Sequence, residues 1–350
     1  MKKNLFITII FFIFIFNIEI VMNSVKDASI LFFNKIFIST FPFMILSDIL
    51  FYFDYHIFLV NSFLGKSISK LLKLNDSETT VFIFSIFTSQ PNNAVYIKKL
   101  LDDNVIDLET ANNLLIFTYF PSISFVIGTI GIIMFNSVKI GLFLYLGAIL
   151  NNILICLFLK NNKVSNNYKF SYKKDSFINS LKNSIIKTFN NSFIILGNLI
   201  IFNIIINLIS KYLNNDFLLI FISLLLEVTT SLNFITFSEI SMFFKVLLSS
   251  FSINFSGLSI LFQSFSILGD YKLDIKKILI LKLIFSLISS VLLSMFLLLW
   301  NNKWIYCCTF SSGVFLTCFN IEYWSIFSSV SIFCIVWLSV IMYSVESCIC

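Results

Sequence analysis

The stretch VKIGLFLYLGAILNNILICLFL, residues 138–159, is followed directly by KNNKVSNNYKFSYKK at 160–174. A helix rises about 1.5 Å per residue and a bilayer's hydrocarbon core is about 30 Å thick, so an apolar run of this length crosses a membrane. The lysines Lys160, Lys163, Lys169, Lys173 and Lys174 then mark the side on which it ends, because short Lys-rich loops stay in the cytoplasm. Apolar runs of about 17 residues or more recur along the chain. Hydrophobic residues make up 58% of it, charged residues 12%, and the mean hydropathy is +0.95, a balance outside that of soluble domains. The period-2 alternation of an outer-membrane barrel is absent. The expected fold is an all-α polytopic membrane protein whose main partner is the lipid bilayer of the cell membrane.

Composition also excludes other classes. Phe occurs 45 times and every basic residue is Lys, a bias of AT-rich codons, so the Phe side chains read as lipid-facing filler. The net charge of +6 is spread over short loops and sets orientation; nucleic acid is not an expected partner. Seven cysteines without a CxxC pair, beside a single His, predict neither a metal site nor a disulfide. HExxH, GxSxG and GxxxxGK are absent, so neither an enzyme nor a cofactor is expected.

The run 5–22 behind Lys2 and Lys3 predicts an uncleaved first transmembrane helix within 1–24, with a cytoplasmic N-terminus. A second run, 41–63, ends near Lys66, Lys70 and Lys73. Residues 79–94 begin apolar and break into Thr88-Ser89-Gln90-Pro91-Asn92-Asn93, the mark of a re-entrant or discontinuous segment. An amphipathic connection at 98–109 leads to crossings at 111–135 and 138–159, then to the basic cytoplasmic loop 161–176. After it come a crossing at 185–209, a broken segment at 217–235, a crossing at 244–268 and one that ends near 299. The C-terminal hydrophobic extension, 301–350, holds one further helix at 323–343 and an ambiguous segment at 304–319.

The two halves, 25–160 and 177–300, repeat one order of parts: a polar knot, a helix rich in small residues, then a Lys-led crossing. Thr88 and Pro121 are 33 positions apart; Glu227 and Gly257 are 30 apart. The helix after Lys139 must end in the cytoplasm and the helix after Lys277 must start there, so the copies are inverted. Inverted repeats with broken helices at the midplane are a secondary-transporter architecture.

Several motifs carry a family likeness. Phe41-Pro42-Phe43-Met44-Ile45-Leu46-Ser47-Asp48, Ser89-Gln90-Pro91-Asn92-Asn93-Ala94 and Phe125-Val126-Ile127-Gly128-Thr129-Ile130-Gly131 lie in the first half. Leu226-Glu227-Val228-Thr229-Thr230-Ser231 and Phe255-Ser256-Gly257-Leu258-Ser259-Ile260, with Gln263, lie in the second. In order and spacing, over about residues 25–300, these resemble the sporulation integral membrane protein family of the YlbJ type. The resemblance implies a nucleoside-recognition (Gate) domain shared with concentrative nucleoside transporters and ferrous iron permeases, with re-entrant hairpins and a link to sporulation. Gln90 stands where that family's pattern carries Gly.

The candidate substrate-binding residues are Gln90, Asn92, Asn93, Glu227, Thr229, Thr230 and Gln263, with structural breaks at Pro91, Pro121 and Gly257. Glu227 is the sharpest, because a carboxylate in an apolar run costs about 2.5 to 3.5 kcal/mol on insertion scales. It either lines a site or caps a half-helix. The amides of Gln90, Asn92 and Asn93 suit a neutral polar solute or cap backbone around Pro91. Gln263 and Ser259, four apart, share a helical face. Asp48, Asp54 and His56 do not share one, and an interfacial, water-facing role is expected of them. Two functions remain open: a carrier that moves or binds a small polar solute, and a non-transporting membrane protein of envelope or spore assembly. Either is compatible with an oligomer.

Overall fold

The computed structural model describes residues 2–53, 55–159, 176–213, 215–269 and 271–299. The basic loop, apart from Ser176, the extension 301–350 with both of its segments, and Asp54 lie outside the described residues, as does the side chain of His56.

The described residues form helices and connections with no β-strand. In chain order these are α1 (Lys2–Phe16), α2 (Ile18–Leu31) running through a π-helical turn π1 (Phe32–Phe37) into α3 (Ile38–Tyr52), α4 (Tyr55–Asn61) and α5 (Phe63–Leu72). Next come α6 (Asp76–Thr88), α7 (Asn92–Asp102), α8 (Leu108–Phe117), the π-helix π2 (Ser124–Met134) and α9 (Val138–Phe158). The second half holds α10 (Phe177–Ser210), α11 (Asp216–Leu226), α12 (Val228–Phe237), α13 (Met242–Phe255), α14 (Gly257–Ile267) and α15 (Ile275–Leu299). Four spans among the described residues are long and apolar enough to cross a membrane: Val138–Phe158, Phe177–Ser210, Met242–Ile267 and Ile275–Phe296.

Polar side chains set where these helices begin. Asp107 accepts the Thr110 N–H at 2.8 Å to open α8, and Asn215 accepts from Phe217 and Leu218 to open α11. Asn75 and Glu78 form a reciprocal capping box at the head of α6.

Four expected crossings are divided. The run 5–22 bends by 87° at Asn17, whose Nδ2 donates back to Ile13 O and whose backbone leaves the helical region. The run 41–63 is cut into three pieces, the last opened by Ser62, whose hydroxyl accepts the Gly65 N–H. The runs 111–135 and 244–268 are interrupted at Pro121 and Gly257, the positions expected as breaks.

The packing is polar inward and apolar outward. On α10, Ser180, Ser184, Thr188 and Ser192 are buried while Ile186, Phe193 and Ile201 are exposed. On α15, Ser286, Ser289 and Ser294 are buried while Leu287, Leu292 and Met295 are exposed. Small inward residues let helices approach closely where lipid rather than water lies outside. The tightest approach joins π2 to α9: a Cβ built on Gly131 would stand 2.8 Å from Gly141 Cα. Against α10, Asn203 and Asn207 donate to the carbonyl and hydroxyl of Ser24 on α2, and Lys187 pairs with Asp48 of α3 at 2.7 Å. Asp48 is therefore not water-facing as expected; it is 6% exposed and held by a cation 139 positions away.

Candidate functional site

Two interruptions lie in each half, and each has a local cause. After α6, Ser89 takes a positive φ of 59°, and Pro91 follows with its Gln90–Pro91 bond cis. Pro121 supplies no N–H to a helix and disfavours helical backbone at Phe120, so 118–123 stays unwound between α8 and π2. Glu227 is extended (φ −148°, ψ 122°) between α11 and α12, and its Oε2 accepts the Thr230 N–H at 2.6 Å. Ser256 and Gly257 are both left-handed (φ 69° and 63°), which stops α13 and restarts the chain as α14. A side chain at Gly257 would place Cβ 3.0 Å from Leu226 O, so only glycine meets both demands there.

The interruptions are joined to one another. The Gln90 N–H donates to Phe120 O at 3.0 Å, linking the two breaks of the first half. Gly257 lies against Leu226 and Glu227, linking the two of the second. Between the halves, Gln90 Nε2 donates to Ser256 Oγ at 3.1 Å, and Ser256 Oγ lies 3.2 Å from Gln90 Oε1 in the converse sense.

Where the breaks meet there is a cavity of about 90 Å³. Gln90, Pro91, Pro121, Glu227, Thr229 and Gln263 all line it, brought from distant positions of the sequence. Ser259 lines it too, on the helical face it shares with Gln263. Ile36, Thr40 and Met44 from π1 and α3, and Ile195 and Leu199 from α10, complete an apolar wall. The rim chemistry is that of hydroxyls, amides and one carboxylate. Glu227 is the only charged residue on the cavity among the described residues, and it is 4% exposed. The N-terminus of α12 favours that charge through its free N–H groups and dipole. Both readings of Glu227 therefore meet in one side chain, which caps a half-helix and faces the cavity.

Three expected binding residues are turned elsewhere. Asn92 Nδ2 donates to Thr88 O at 2.9 Å, satisfying the end of α6. Asn93 Nδ2 points to Thr118 Oγ1 at 3.4 Å, and Asn93 Oδ1 is buried without a partner. Thr230 gives its N–H to Glu227 while its own Oγ1 is buried and unpaired. None of the three lines the cavity. Ser122 of the second break does, although nothing in its local sequence separates it from other loop serines.

One buried charge escaped notice in the sequence. Lys282 of α15 is 2% exposed, with Nζ 3.5 Å over the ring of Tyr119. Its signal was a lysine inside a spanning run, away from the basic turn at Lys272, Lys276 and Lys277. Among the described residues no group of three or more His, Cys, Asp or Glu is placed to hold a metal ion. Comparison with known protein families, characterised proteins and solved structures finds no match to this chain.

Proposed function

We propose that this protein is a multi-pass carrier-like protein of the cell membrane, of the sporulation integral membrane (YlbJ) type, that binds and moves a small polar solute. In this reading the N-terminus and the 161–176 loop are cytoplasmic, and the halves are inverted repeats of a Gate-like fold. What supports it is the convergence of interrupted helices from both halves on one cavity bearing Gln90, Glu227, Thr229 and Gln263. Broken helices at depth are tolerated where their backbone lines a cavity, and the exposed backbone and caps are what a polar solute meets. The recurring order also fits: two interrupted helices and an unbroken one in α6 to α9, and again in α11 to α15. At about 10–15 Å³ per water the cavity has room for several waters, so a nucleoside-sized solute requires the tips to part.

The test is uptake into proteoliposomes of tritiated uridine, serine and glycerol, each compared with empty liposomes. Flux of at least one above the empty control, lost in Glu227→Gln and Gln263→Ala at normal membrane abundance, is the expected result. Flux unchanged in a normally abundant Glu227→Ala variant sinks the assignment. Absence of flux for all three, with a spore or envelope defect on deletion, turns the reading to the non-transporting role in assembly.

A further inference from the structure

The cavity leaves one buried charged group unused. Lys282 lies inside the bundle with its ammonium on the face of Tyr119, and Tyr119 is itself 1% exposed. The elements packed on α15 are α8, α9 and α13, and their titratable groups are Glu109, Lys139, Tyr145, Cys156 and Lys245. None of these is hydrogen-bonded or ion-paired to Lys282, nor are Lys276 and Lys277 on its own helix. The described surroundings of the amine thus offer a ring face and no counter-ion. A buried charge without one is costly, and the ring's quadrupole attracts only the charged form of the amine.

Tyr119 in turn belongs to the unwound segment 118–123. Its carbonyl accepts from Asn152 Nδ2 of α9, and its hydroxyl from Ser264 Oγ of α14, the residue after Gln263. The next carbonyl, that of Phe120, holds the Gln90 N–H, and Pro121 and Ser122 wall the cavity. A force on the Tyr119 ring is therefore a force on the cavity wall.

We infer that Lys282 is a proton-binding site that controls this wall: the ammonium clamps Tyr119, and the neutral amine releases it. The step is one N–H bond broken, with the proton passed to water as hydronium, and its reverse. It needs no other reactant, and it stands whether or not a solute passes through the cavity.

The test places Ser122→Cys in a background whose native cysteines are replaced by serine. The rate of its reaction with methyl methanethiosulfonate is measured on purified protein from about pH 6 to about pH 10, a range ending near the ordinary lysine value. Lys282 is compared with Lys282→Met and Lys282→Arg, and the ratio of rates at each pH cancels the thiol's own titration. The Met variant should react about fivefold faster than Lys282 at the acid end and equally at the alkaline end, as the ring clamp is lost with its charge. The Arg variant, charged throughout, should match Lys282 at the acid end and fall to about one fifth of it at the alkaline end. Ratios that stay constant with pH overturn the proposal, since a purely structural lysine would shift every rate alike. If the Met variant does not accumulate, the Arg ratio decides in the same way.

Discussion

The breaks at Gln90–Pro91 and at Glu227 occupy corresponding places in the two halves and are held by opposite means. Glu227 supplies its own remedy: its carboxylate closes on the Thr230 N–H three residues ahead, within the helix it starts. Gln90 borrows. Its N–H goes to Phe120 and its side chain to Ser256, 166 positions away in the other half. A carboxylate cap makes a break that folds locally, whereas a neutral amide makes one that exists only once the tips have met. The difference assigns the first break the role of coupling the halves and the second that of a fixed anchor.

The largest effect should come from the point where the anchor is pressed upon. Gly257→Val places a branched side chain at positive φ and against Leu226 O, at a cost of about 3 kcal/mol or more. Thermal unfolding in detergent and membrane abundance should both fall sharply; a normal melting curve would mean that Gly257 is not wedged on the break. Next in size is the anchor itself. Glu227→Ala should lose about 1 to 2 kcal/mol as a cap and Glu227→Gln about 0.3 to 1, read by the same melting curves. Equal loss in both would show that charge, not acceptor geometry, holds α12. Smallest is the borrowed contact: a double-mutant cycle of Gln90→Ala with Ser256→Ala should give a coupling of about 0.5 to 1.5 kcal/mol. The same cycle between Glu227→Ala and Gln90→Ala should give about zero, and a coupling as large as the first would erase the distinction between the breaks.

The interruptions were legible because each is written in one residue. Proline lacks an N–H, glycine admits positive φ, and a carboxylate in an apolar run demands donors, so Pro91, Pro121, Gly257 and Glu227 announce themselves. The direction in which neighbours point was not legible. Asn92 and Asn93 stand beside Gln90 in the sequence, yet one caps α6 and the other reaches Thr118. Helix continuity through 5–22 and 41–63 was misread because hydropathy averages over Asn17 and Ser62, single side chains that satisfy backbone and turn the chain. Asp48 and Lys187, and likewise Lys282 and Tyr119, meet through tertiary packing that no local pattern encodes.

The Ser256 hydroxyl has one hydrogen and two acceptors within reach, Gln90 Oε1 at 3.2 Å and its own Ile253 carbonyl at 2.9 Å. It can serve only one at a time. When the hydrogen points back to Ile253, Gln90 Nε2 can still donate to the oxygen, so the junction persists with either partner as donor. Pull the tips apart and Ser256 keeps its bond to Ile253, leaving only the Gln90 amide to find water. Parting the halves at this junction thus strands no donor on the second half, and what holds the two tips closed is a fastening that one side can leave without loss.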